Sequence, residues 1–138
     1  MKSTWPLLLT AWLLALLSTA GALFIGEVML MTPCTLCWYQ RIAMFPLALI
    51  LGIASYSNDR RGAAYALPLA VSGTLMSGYH TLLVAGWIPK TWTPCGVGVS
   101  CANQKLEILN GVQIPWLSLA AFFLITVLLS LYLKKTSK

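Results

Sequence analysis

The chain has 138 residues, of which 59% are hydrophobic and only 9% charged, and its mean hydropathy is +0.81. A soluble domain carries roughly a quarter charged residues, so this composition excludes one and reads as a membrane protein, short enough for a single helical bundle. The net charge of +6 forms no stripe: the cations gather at the chain ends and in one short loop, which is a pattern of membrane topology and not of nucleic-acid binding.

The first span covers residues 5–25 and carries no charge; it is about long enough to cross ~30 Å of hydrocarbon. Ala20-Gly21-Ala22 resembles a signal-cleavage site, but the apolar run exceeds the ~7–15 residues of a signal core, so the segment is read as a retained span. An outer connector over residues 26–35 follows, apolar from Val28 to Met31. In it Thr32-Pro33 is a helix-start signal, with threonine as N-cap and proline at the first helical position. The second span is expected over residues 36–56, and Pro46 predicts a kink near Ile42 to Pro46 because it cannot donate its backbone hydrogen bond.

Ser57-Asn58-Asp59-Arg60-Arg61-Gly62 reads as a polar turn, and residues 63–87 as the third span. Ser72, Gly73, Ser77 and Gly78 would let neighbouring helices approach closely there. The longest loop, residues 88–113, carries Cys95 and Cys101, and Gln104 to Leu109 within it reads as one or two turns of interfacial helix. Ile114-Pro115 opens the fourth span, residues 114–133, and Lys134, Lys135 and Lys138 close the chain. The expected fold is therefore an all-α membrane protein, a four-transmembrane-helix bundle forming a single domain over residues 1–138.

Lys2, Arg60, Arg61, Lys134, Lys135 and Lys138 fall on the side of the termini, and only Lys90 and Lys105 on the other. The positive-inside rule makes the termini cytoplasmic. Trp38, Trp87, Trp92 and Trp116 then lie near the outer interface, an ordinary aromatic belt. All four cysteines face the outer side, where disulfides persist.

The chemistry concentrates in Cys34-Thr35-Leu36-Cys37-Trp38-Tyr39-Gln40-Arg41. With Thr32 capping the helix, Cys34 and Cys37 stand one turn apart on one face, their Cβ atoms about 5–6 Å apart. A disulfide wants about 3.5–4.5 Å, so a small local adjustment closes or opens the bond. A helix N-terminus and a nearby cation both favour thiolate, and Arg41 stands at i+4 from Cys37. Cys37 is thus the sulfur expected to contact an electron acceptor. Arg41 has a plainer reading, a side chain snorkelling to the interface, but an intramembrane charge normally marks a site. His80 is the only histidine. At ~1.5 Å per residue it lies about 10 Å below the outer interface and Arg41 about 7–8 Å, so the two are expected to meet in one pocket between the second and third spans. A core histidine bonded to the backbone is the alternative. Such a pocket, with a dithiol, a cation and a hydrogen-bond donor in the outer leaflet, suits a lipid-soluble quinone.

The Cys-x-x-Cys-x-x-x-Arg run at the outer start of the second span, with a second cysteine pair in the second outer loop, resembles the DsbB/BdbC family of disulfide bond formation proteins, in its short BdbC-like branch. The resemblance implies a thiol:quinone oxidoreductase of the bacterial inner membrane with its cysteines on the extracytoplasmic side. It implies that Cys34 and Cys37 are the quinone-linked pair and that Arg41, and more loosely His80, bind the ring of ubiquinone or menaquinone. It further implies that Cys95 and Cys101 meet a soluble DsbA-like thioredoxin-fold partner, with Cys95 taking the mixed disulfide. Two departures stand out: Gln40 occupies a position that is acidic in the long members, and the loop holding Cys95 and Cys101 is much shorter than theirs. Two other readings of the cysteines are a four-cysteine zinc site and a pair of structural disulfides. The close second spacing, the oxidising side and Arg41 argue against zinc, so no metal is expected, and Trp38 stands where haem attachment needs a histidine.

Overall fold

The computed structural model describes residues 4–30, 35–89, 105–106 and 112–138. Four helices account for nearly all of them: α1 (Trp5–Leu23), α2 (Thr35–Ser57), α3 (Arg60–Val84) and α4 (Ile114–Thr136). α1 continues into a π-helical turn, Phe24–Val28. A two-residue ladder, β1 (Lys105–Leu106) antiparallel to β2 (Val112–Gln113), leads directly into α4. That ladder replaces the interfacial helix expected over Gln104 to Leu109, where the described residues are strand. A segment that short is a poor helix nucleus, and an antiparallel pairing satisfies the backbone with fewer residues.

Local sequence sets the helix ends. Pro6 and Pro115 sit in the first turns of α1 and α4, where no intrahelical partner for their missing N–H is needed. α2 ends at Asn58, in the left-handed region at φ 50, with Asp59 N–H donating to Ala54 O at 2.9 Å. The next residue starts α3: the Asp59 carboxylate accepts from the backbone N–H of Arg61 and Gly62 at 2.9 and 3.2 Å. The turn expected over Ser57–Gly62 therefore shrinks to Asn58-Asp59, because an aspartate N-cap satisfies the first helical donors and brings both arginines into the helix. The apolar run continues to Trp87, but α3 stops at Val84. Gly86 at φ 84 reverses the chain, with Gly86 N–H to Leu83 O at 3.2 Å and Trp87 N–H to Leu82 O at 3.1 Å. Pro46 and Pro68 lie inside α2 and α3, which continue through them.

The helices form a four-sided ring: α1 packs on α2 and α4, and α3 packs on α2 and α4. The core is filled by Leu8, Ala11 and Ala15 from α1, Leu47 and Leu51 from α2, and Phe122, Ile125, Leu129 and Tyr132 from α4. α3 contributes a stripe of small residues, Ala63, Ala66, Ala70, Gly73 and Ser77. Small residues let helix backbones approach where packing has to drive association. Gly73 shows the need: a Cβ there would overlap the Phe122 ring. The outside is apolar, with Leu49, Ile53 and Leu75 each at least 70% exposed. In water such a surface is an aggregation liability, whereas hydrocarbon solvates it. Among the described residues three helical segments, Trp5–Val28, Thr35–Ser57 and Ile114–Thr136, are long and apolar enough to cross a membrane. α3 is as long but less apolar, because its buried stripe is Ala, Gly and Ser and it opens on two arginines.

Candidate functional site

Three helices turn one stripe each toward a shared cavity of about 220 Å³ near one end of the ring. α2 supplies Cys37, Gln40, Arg41, Met44 and Phe45, at i, i+3, i+4, i+7 and i+8. That spacing is one helix face. Ser18, Gly21 and Ala22 of α1 with Ile25 of the π-helical turn, and Leu117, Ser118 and Ala121 of α4, repeat the same period. An apolar cavity of ~150 Å³ accepts benzene, so this one has room for a substituted six-membered ring. The wall is mainly apolar; α2 supplies Cys37, Gln40 and Arg41, and α1 and α4 add one serine each, Ser18 and Ser118.

Arg41 is half-buried and tied sideways to α1. Its Nη2 donates to Ala22 O at 2.7 Å, and its Cζ lies 5.6 Å from the centre of the Trp38 ring, within cation–π range. The local winding of α1 prepares the contact. At the π turn the ladder slips by one residue, with Met29 N–H donating to Phe24 O at 3.2 Å. Such a slip disturbs carbonyl pairing at the junction, and the guanidinium donates to the turn just before it. Gly26 completes the cradle: a Cβ there would stand 3.0 Å from Nη2 and 3.2 Å from Nη1.

Gln40 and His80 form a second polar contact. Gln40 Nε2 lies 3.0 Å from His80 Nδ1, and both residues are buried, His80 completely. The amide nitrogen can only donate, so Nδ1 accepts and Nε2 is the protonated ring nitrogen. Gln40 lines the cavity, whereas His80 stands behind it on α3 and reaches the cavity through that amide. Residue counting along the sequence puts Arg41 and His80 in one pocket between the second and third spans. The cavity lies instead between α1, α2 and α4. Counting residues from an interface gives depth but not direction, and consecutive helical residues point about 100° apart. Hence Gln40 faces α3 and its neighbour Arg41 faces α1. Gln40 is not among the site residues read from the sequence. The available signal was a polar side chain at i+3 from Cys37, on the same face.

Cys37 is half-buried, with the cavity on one side and an apolar cluster of Leu36, Leu83, Met76 and Tyr79 on the other. Cys34, Cys95 and Cys101 lie outside the described residues, as do the cysteine pairings and the Thr32-Pro33 cap. Within the described residues the arrangement can hold a flat apolar ring with acceptors on its edge, beside one sulfur and a fixed positive charge.

The sequence from residue 2 to residue 133 matches the family model described as disulfide bond formation protein DsbB. A probable disulfide formation protein of Metapseudomonas resinovorans is 49% identical over 97% of this chain and 94% of its own length. Disulfide bond formation protein C of Bacillus subtilis is 41% identical over 95% of each. A probable disulfide formation protein of Coxiella burnetii is 40% identical over 88% of this chain and 86% of its own length. No solved structure matches the chain.

Proposed function

The chain belongs to the DsbB family of disulfide bond formation proteins, and from that premise we propose that it is a thiol:quinone oxidoreductase. On this reading it reoxidises a soluble thioredoxin-fold thiol oxidase of the DsbA kind outside the cytoplasmic membrane. The observation that carries the quinone part is a ring-sized, mainly apolar cavity whose wall holds both Cys37 and Arg41. Ubiquinone or menaquinone, when bound there, supplies a two-electron, two-proton acceptor, so that one dithiol becomes one disulfide and quinone becomes quinol. Arg41, anchored by Ala22 O, would present its charge to the edge of a ring bound in the cavity. Charge aimed in advance at a developing oxyanion is commonly the largest catalytic contribution. Met44, Phe45 and Phe122 keep water from the ring, and Gln40 with His80 forms the polar back of the site.

The other half of the cycle runs through the outer loop. A thiolate of the reduced partner attacks Cys95, and Cys101 leaves as a thiol. The partner's second thiol resolves the mixed disulfide, so the partner departs oxidised and Cys95/Cys101 remains as the dithiol. That dithiol exchanges with the Cys34–Cys37 disulfide, by way of a Cys34–Cys101 bond. The electrons then sit on the Cys34/Cys37 dithiol, and each exchange follows thiolate population and access. The cation distribution supports cytoplasmic termini, with α3 crossing the bacterial inner membrane beside the three more apolar helices.

The test is quinone reduction by the purified protein with a reduced thioredoxin-fold partner or a small dithiol, followed by ring absorbance. Cys37→Ser should abolish reduction with any thiol. A Cys34/Cys37 double-serine variant that still reduced quinone at the normal rate would overturn the relay.

A further inference from the structure

Gln40 is 6% exposed and separates the cavity from His80, which is fully enclosed. One amide N–H is committed to Nδ1 of His80 at 3.0 Å. Oε1 takes no hydrogen bond among the described residues, yet no enclosed side-chain nitrogen or oxygen among them lacks a partner. Oε1 is therefore not fully enclosed, and Gln40 is a lining residue of the cavity. Arg41, the next residue, carries donors only. The two together offer a ring edge a cationic donor and a neutral acceptor.

We propose that Gln40 contacts the bound ring through Oε1 and stabilises its reduced form, and that His80 is a positioning residue which fixes that orientation from behind. The inference rests on the quinone reading above and deepens it. A quinone edge carries carbonyl acceptors, which suit Arg41. A quinol edge carries hydroxyl donors, which suit Oε1. An amide free to turn would present its NH₂ group as readily as its oxygen and lose the preference. With the ring proton on Nε2, Nδ1 disfavours the turn, because Oε1 rotated toward it would set two acceptors face to face. His80 acts on the ring through the amide, without touching it.

The test uses the full-length protein carrying Cys37→Ser, which removes turnover, and calorimetric titration with a short-tailed benzoquinone and, under anaerobic conditions, its quinol. Gln40→Met should weaken quinol binding about three- to tenfold, the effect of one neutral hydrogen bond, and leave quinone binding within about twofold. His80→Phe keeps ring volume but removes the acceptor, and should produce the same selective loss. His80→Asn returns an acceptor near the Nδ1 position and should recover part of it. The Gln40→Met/His80→Phe double variant should be no worse than Gln40→Met alone, because the two residues act in series. Additive losses, or equal loss of both ring forms, would overturn the inference and make His80 a direct contact or a packing residue. Unchanged quinol binding in Gln40→Met would overturn it as well. If the protein with Cys37 intact reduces no quinone and the Cys37→Ser protein binds neither ring form, the underlying reading fails, which is a separate outcome from any of these.

Discussion

Gly26→Ala tests whether the π turn of α1 sets the position of Arg41. The added methyl would lie 3.0 Å from Nη2 and 3.2 Å from Nη1, inside the ~3.5 Å at which non-bonded atoms settle. The guanidinium must retreat by a few tenths of an ångström, away from a bond to Ala22 O that measures 2.7 Å. A hydrogen bond from a charged donor is worth ~1.5–3 kcal/mol, and losing about a third of it costs roughly 0.5–1 kcal/mol. At ~1.4 kcal/mol per tenfold this is about a two- to fivefold rise in apparent quinone KM. Stability should move the other way or stay level, since alanine in a helix gains ~1 kcal/mol over glycine. The assay pairs quinone-reduction kinetics with thermal unfolding in the same detergent. An unchanged KM in Gly26→Ala, with a raised KM in Arg41→Ala, would refute positioning by the π turn. A lowered unfolding temperature would instead mean that Gly26 serves the fold.

Arg41→Ala should raise the apparent quinone KM roughly tenfold or more, from the loss of a charged donor; an unchanged KM in steady-state kinetics would return Arg41 to an interfacial anchor. Cys95→Ser should block oxidation of the thioredoxin-fold partner while leaving some oxidation of a small dithiol, measured by thiol alkylation. Gly73→Val should destabilise the bundle by about 1–3 kcal/mol through overpacking against Phe122. Gly78→Ala, whose nearest neighbour would be Leu119 Cδ1 at 3.9 Å, should not. Thermal unfolding compares the two.

Membrane class, helix number and the residue types of the site are all properties of the chain taken one helix at a time. A 20-residue apolar run is read within a single segment, and Cys37 and Arg41 share a face because i and i+4 do so in any α-helix. The chain in isolation says nothing of which neighbour each face meets. Gln40 and Arg41 are adjacent in sequence, yet one bonds to His80 on α3 and the other to Ala22 on α1, because consecutive residues diverge by about 100° and the helices close into a ring. Only that ring order decided that the cavity lies between α1, α2 and α4 and that His80 stands behind it. The contribution of α1 was likewise not legible in advance. Ala22 and Gly26 look like ordinary small residues, and they become a cradle only when Arg41 is brought against them. Periodicity is local and survives in one dimension, whereas the direction a face points is a relation between helices, set by how small and large residues pack across the bundle.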